Sequence, residues 1–137
     1  MIESRQTAEV KALDRFVMVE INKRHMVVAE DIALTRTPDL AIVDGIVGME
    51  GDGPLNGTPR PLGAVIMGTD LLAVDATCCR LMKLNPERVG YLVMGGHKKL
   101  GQLKTEAICQ LGENIESLAQ PFETLPQFHE LYAGRSA

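Results

Sequence analysis

From Asp44 to Gly68 the sequence reads DGIVGMEGDGPLNGTPRPLGAVIMG and holds seven of the chain's 13 glycines and three of its seven prolines. No other part of the sequence limits the fold as strongly. Glycine at this density invites positive φ, and each proline removes a backbone donor. The stretch is therefore expected to hold no single regular element and to form a long glycine-rich loop with a short strand on either side. Ile46, Val47, Met49 and Leu55 within it favour order over disorder. Ordered loops of that length inside a compact domain are usually functional.

The flanks supply the elements. Leu40-Ala41-Ile42-Val43 is a short apolar run that starts after Pro38 and ends at Asp44-Gly45, which suits a buried parallel strand, and Ala64-Val65-Ile66-Met67 has the same character. Thr69 or Asp70 can cap a helix whose apolar positions Leu71, Val74, Cys78, Leu81 and Met82 fit a 3.6-residue period. Asn85-Pro86-Glu87 has the signature of a second helix start, predicted to run to about Gly95-Gly96. Ala107 to Leu111 reads as a third short strand. A strand, two helices and a strand make a right-handed crossover. The predicted fold is thus a small three-layer-like α/β domain with a short, mainly parallel sheet, one domain over residues 1–137. Near the start, Val10, Leu13, Val17 and Ile21 fit a helix, while Phe16 to Ile21 also alternates as a strand would; Val28 to Arg36 is helical in pattern. Residues 123–137 are expected to wrap the body or fray.

Composition narrows the function classes. A net charge of −4 and a pI near 5.3 leave no electrostatic footprint for nucleic acid or an anionic membrane. No apolar run approaches the roughly 18 residues of a membrane span, and the charged N-terminus has no signal-like core behind it, so the expected location is cytoplasmic. Cys78, Cys79 and Cys109 form an odd set without Cys-x-x-Cys spacing and read as reduced thiols; this chain alone cannot build an iron–sulfur cluster or a structural zinc site.

Asp44 follows the first predicted strand, and Thr69 and Asp70 follow the second. Ligands of open α/β sheets bind outside those carboxyl ends. Glu50 and Asp52 lie in the connecting stretch, where glycine amides can approach a ligand closely. Asp75 falls on the margin of the apolar helix face, and a carboxylate there needs a donor, a cation or a raised pKa. One reading is that Asp44, Glu50 and Asp75, or Asp52 in place of Glu50, hold a divalent cation such as Mg²⁺ or Ca²⁺; the other is that each acid caps a turn or takes a structural hydrogen bond. Several motifs are absent. There is no G-x-x-x-x-G-K-[ST], the calcium-loop spacing fails at Pro54, and Ser4, Ser117 and Ser136 sit in no nucleophile elbow. His25, His97 and His129 lack metal-ligand spacing, and His97-Lys98-Lys99 suits the cationic end of a helix.

The run PDLAIVDGIVGMEGDGP from Pro38 to Pro54, then Gly57-Thr58-Pro59, Ala73-Val74-Asp75-Ala76, Leu81-Met82, Val89 to Leu92 and Leu100-Gly101, resembles the signature of the family named domain of unknown function 362 over about residues 25 to 122. The resemblance marks Asp44, Gly45, Glu50, Gly51, Gly53, Gly57 and Asp75 as signature positions, and the acidic loop adds Asp52 and Asp70 as candidate ligand-binding residues. Some members of that family carry a ferredoxin-type iron–sulfur module, which implies an anaerobic redox setting and an iron–sulfur redox partner on another polypeptide. The resemblance lies mainly with the C-terminal half of the family domain, which implies either a homodimer or a missing N-terminal half to cover an open sheet edge or apolar face. It brings no established reaction.

Two functions follow as expectations: an enzyme or ligand-binding domain, with or without a divalent cation, and a non-catalytic docking or oligomerisation domain. They differ in a geometric consequence. A binding loop must converge its carboxylates within a few ångströms around a pocket. A docking surface instead exposes Met49, Leu55 and their apolar neighbours on a flat patch.

Overall fold

The computed structural model describes residues 35–132. The N-terminal pattern from Val10 to Ile21, and nearly all of that from Val28 to Arg36, lies outside them. The described chain runs through two strands, β1 (Ala41–Asp52) and β2 (Asn56–Gly68), then helix α1 (Leu71–Leu81), a 3-10 turn at Pro86–Arg88, helix α2 (Gly90–His97), a 3-10 turn at Thr105–Ala107, the short helix α3 (Ile115–Leu118) and a 3-10 segment at Pro126–Leu131.

Helix and strand are mixed, as expected, but the sheet is not parallel. β1 and β2 pair antiparallel as a two-stranded hairpin, with Ala41 opposite Gly68 and Asp52 opposite Asn56. The stretch expected to be a long glycine-rich loop is the hairpin itself, and the turn is only Gly53-Pro54-Leu55. Density of glycine and proline misleads here because both residue types are tolerated in an edge strand. Every strand of a two-stranded ribbon is an edge. One irregularity separates Gly45 from Val47, where Ile46 alone stands opposite Leu62 and Gly63; Gly63 has a φ of +75°, the left-handed value that such a bulge requires.

Pro59 and Pro61 fix the hydrogen-bond phase of the ladder. Lacking N–H groups, they can occupy only non-hydrogen-bonded pairs, so Met49 opposite Pro59 and Val47 opposite Pro61 turn their own amides and carbonyls away from β2. Gly51, two residues on, obeys the same phase: its outward N–H donates to the Glu123 carbonyl at 2.9 Å.

Both strands precede both longer helices, so no crossover unit forms. Ala107 to Leu111 is no strand; it leaves a 3-10 turn and exposes Leu111 and Cys109. Asp70 caps α1 as expected, its carboxylate accepting from the Ala73 amide at 3.0 Å. The helix buries Leu72, Val74, Ala76, Cys79 and Leu81, whereas Leu71 and Cys78 are only half-buried. The buried arc is wider than one stripe because α1 is covered on two sides. Val74 meets the end of β2 at Gly68, while Leu72 meets α2 at Gly95. Leu72, Cys79 and Leu92 form the core, with Leu84, Val89, Tyr91 and Leu103 packed around it. Asn85 and Pro86 open a 3-10 turn rather than a continuous helix, and α2 begins afresh at Gly90.

A strap, Gln120 to Glu123, ties the two parts together. Its Gln120 and Phe122 amides donate to the Leu81 and Met82 carbonyls at the end of α1. Its other contacts go to the hairpin: Gln120 Nε2 donates to the Pro61 carbonyl, the Glu123 carbonyl accepts from Gly51, and the Phe122 ring lies under Gly48. Phe122 is 4% exposed, and a Cβ at residue 48 would come within 2.8 Å of its ring. Further on, the Leu131 carbonyl accepts from Asn85, and the Tyr132 hydroxyl donates to the Phe122 carbonyl at 2.6 Å.

Phe122→Ala is expected to cost about 3 to 5 kcal/mol in urea unfolding, the range for a buried aromatic. Gly48→Ala is expected to cost about 1 to 3 kcal/mol through overpacking, and clearly less in a Phe122→Leu background where the ring is gone. Equal cost in both backgrounds would show that the ring does not set the glycine requirement.

Candidate functional site

Each of the five acids singled out from sequence has hydrogen-bond partners of its own. Asp44 is exposed on β1, and its carboxylate accepts from the Ile46 amide at 3.0 Å, steadying the chain at the bulge. The Glu50 side chain is 9% exposed beneath the hairpin; it accepts from the Glu123 amide at 2.9 Å and faces Arg60 at 3.8 Å. Asp52 accepts from the Asn56 side-chain amide across the turn at 3.4 Å. Asp70 is fully engaged with backbone: one oxygen caps α1, the other accepts from the Gln102 amide at 2.8 Å, and a Cβ at Gly101 would collide with that carboxylate. Asp75 accepts from the Tyr91 hydroxyl at 3.2 Å, joining α1 to α2.

Asp44, Glu50 and Asp75 therefore do not share a site. Among the described residues no group of three or more His, Cys, Asp or Glu side chains could hold a metal ion. The signature glycines also serve the hairpin. Gly51 takes a positive φ where β1 meets the strap, and Gly57 and Gly53 lie beneath the Met49 side chain, which approaches a Cβ position on Gly57 to 2.5 Å. Gly45 is buried on the inner side, near the Ile66 and Leu62 side chains.

Asp75 is the acid whose chemistry the fold changes. Burial pushes its carboxyl above the ordinary aspartate value, and donation from Tyr91 pulls it part of the way back. Burial, with the Asp75 charge nearby, pushes the Cys78 thiol up to about 11 and the Cys79 thiol up to about 12. Both thiols stay protonated at neutral pH, so neither is an activated nucleophile. A concavity of about 520 Å³ lies at the far end of α1, and no candidate acid lines it. Its cations Arg80, Lys83 and Lys104 are balanced by Glu87, Glu106 and Glu116.

What the hairpin does bring together is apolar. Side chains on the inner side of β1 and β2 meet α1 and the strap, whereas Ile42, Val65 and Met67 are 63%, 51% and 63% exposed on the other side. Past the bulge, Val47 and Met49 are also exposed, opposite Pro61 and Pro59, because Ile46 and Val47 are both turned outward and the alternation restarts. Leu55 at the turn is 91% exposed. The exposed side of the ribbon thus presents apolar groups along its length, with Asp44 among them.

Sequence reasoning named Met49 as a residue that a docking surface would expose, but missed the parts played by Phe122, Arg60 and Tyr91 and the outward turn of Val47. One signal for the last was available. Pro-x-Pro at 59–61 has the period of a strand and marks an edge that cannot donate. Phe122 and Tyr91 act through contacts distant in sequence and had no local signal.

Residues 6–80 match the family described as domain of unknown function (DUF362). The chain is 36% identical over 70 residues to thylakoid-associated protein sll1697 of Synechocystis sp., an alignment covering 51% of this chain and 21% of that protein. The chain thus spans about a fifth of the length of this curated relative. No solved structure gives a significant match.

The folded chain holds the Asp75 proton more tightly than the unfolded chain does. Stability is therefore expected to fall as pH rises from the ordinary aspartate range through the raised value, and Asp75→Asn should remove that slope in urea titrations run from acidic to neutral pH. Tyr91→Phe removes the donor and should cost about 1 to 3 kcal/mol at neutral pH, and less in acid. Asp70→Ala should cost about 1 to 2 kcal/mol as a lost cap, whereas Asp44→Asn on the exposed side should stay within about 0.5 kcal/mol.

Proposed function

The chain belongs to the family described as domain of unknown function DUF362, and from that premise we propose that it is a non-catalytic docking module whose hairpin is covered by another polypeptide. The observation that carries this reading is the exposed apolar side of the ribbon, where Ile42, Val47, Met49, Val65 and Met67 are each more than half exposed. Soluble domains seldom leave a contiguous apolar patch of this kind uncovered, and such patches mark interaction surfaces. A two-stranded ribbon is also marginal by itself, and a further layer or strand is the usual remedy.

The carboxylates support the same choice. A ligand site would converge them, but here they are distributed among a bulge, a strap, a turn, a cap and a helix pair. A docking role also accommodates a relative described as thylakoid-associated. Among the described residues no helix is long and apolar enough to cross a membrane, so in this reading attachment runs through the polypeptide that covers the hairpin.

The test places a photo-reactive amino acid at Met67 in the full chain, expressed in its native host, with Glu116 on α3 as the control position. Met67 is expected to crosslink to one defined polypeptide, and an added Val65→Asp substitution should abolish the product while leaving stability within about 0.5 kcal/mol, as for other exposed positions. The same products from both positions, or none from Met67, would reject the docking surface.

A further inference from the structure

Of the chain's four asparagines, Asn56 is the one followed by glycine. Asn85 precedes Pro86, which has no N–H, and Asn114 precedes the β-branched Ile115; both side chains are engaged as caps, accepting from the Glu87 and Glu116 amides. Asn56 is exposed where β2 leaves the turn, and its side-chain amide donates to Asp52 at 3.4 Å, a long hydrogen bond. Gly57 stands opposite Gly51, so by the phase that Pro59 and Pro61 set, its N–H points away from β1 and is no rung of the ladder. The packing also demands a bare residue there. A Cβ at residue 57 would come within 2.5 Å of the Met49 side chain and 2.9 Å of the Glu50 carbonyl oxygen. The fold thus keeps an unhindered amide nitrogen next to an exposed carboxamide.

We propose that Asn56-Gly57 is a site of covalent modification, at which the asparagine deamidates to aspartate and isoaspartate and thereby loosens the turn end of the hairpin. The inference does not depend on the docking reading above. Asparagine is among the thermally labile residues, and the chemistry here needs only water. The Gly57 nitrogen bonds to Asn56 Cγ and gives up its proton, the Cγ–Nδ2 bond breaks, and Nδ2 leaves as ammonia, closing a cyclic imide. Water then opens the ring at one of its two carbonyls. Cleavage of the bond between the Gly57 nitrogen and Cγ gives aspartate; cleavage of the bond to the Asn56 main-chain carbonyl gives isoaspartate, with the chain running on through Cβ and Cγ. Ring closure requires Asn56 to leave the extended conformation of β2, so it proceeds from the transiently opened end of the strand pair. Either product sets a carboxylate opposite Asp52, the register partner of residue 56, and like charges directly opposite destabilise a strand pair. Isoaspartate also adds a methylene carbon to the main chain and so displaces Gly57 from beneath Met49.

The experiment incubates the full chain for days at neutral and at mildly alkaline pH and maps its peptides by mass spectrometry, with fragmentation that separates aspartate from isoaspartate. Conversion is expected at Asn56, giving both acids and running faster at the higher pH because hydroxide removes the Gly57 amide proton. Asn85 and Asn114 should stay intact. In urea, where the packing around residue 57 is gone, Gly57→Ala should slow the conversion, because a side chain then hinders the attacking nitrogen. In the folded chain, Asn56→Asp reproduces the aspartate product and should speed amide hydrogen exchange at Asp52 about two- to fivefold, while Gly48 keeps its rate. An Asn56 that persists at alkaline pH in the folded chain but converts in urea would overturn the proposal, since the hairpin would then shield the site. So would equal conversion at Asn114, aspartate formed without isoaspartate, or unchanged exchange at Asp52 in Asn56→Asp.

Discussion

The packing of the Phe122 ring under Gly48 is the contact on which the arrangement depends. Two antiparallel strands have too little surface to be stable alone, and α1 meets the hairpin at Gly68, the end of β2 away from the turn. The strap crosses the inner side of the ribbon from the Pro61 carbonyl to the Gly51 amide, with Phe122 between them and the Glu50 carboxylate gripping the Glu123 amide. Its other side is bonded to the end of α1.

The signature residues gather around this contact. In Gly48-Met49-Glu50-Gly51, one glycine admits the ring, the methionine lies over Gly57, the glutamate binds the strap and the second glycine turns its amide to it. A motif that suggests a ligand loop is used to build a ribbon and fasten it. The fastening occupies the inner side of the hairpin only. The other side, and the β1 edge beside it, keep apolar side chains and outward main-chain groups.

Local signals were legible in the sequence where their cause was local. Asp70 as a helix cap, Asn85-Pro86 as a helix-type start and the apolar character of both strands follow from groups within a few residues of each other. The direction of the sheet was not legible, because an apolar run of four residues looks the same in a parallel and an antiparallel strand. Glycine and proline concealed the hairpin, since their turn-forming tendency and their tolerance at sheet edges give one composition. Of the candidate site, the need of Asp75 for a partner could be read from its place on the helix. That the partner is Tyr91 depends on packing between elements distant in sequence.

Residue-resolved hydrogen exchange on the full chain alone tests the central claim most directly. If β1 has one side paired and one edge open, exchange should alternate along it: slow at Gly48 and Glu50, whose amides bond to β2, and fast at Val47 and Met49. Protection at Val47 and Met49 equal to that at Gly48 and Glu50, with no partner present, would show that the edge is already covered and would contradict the account.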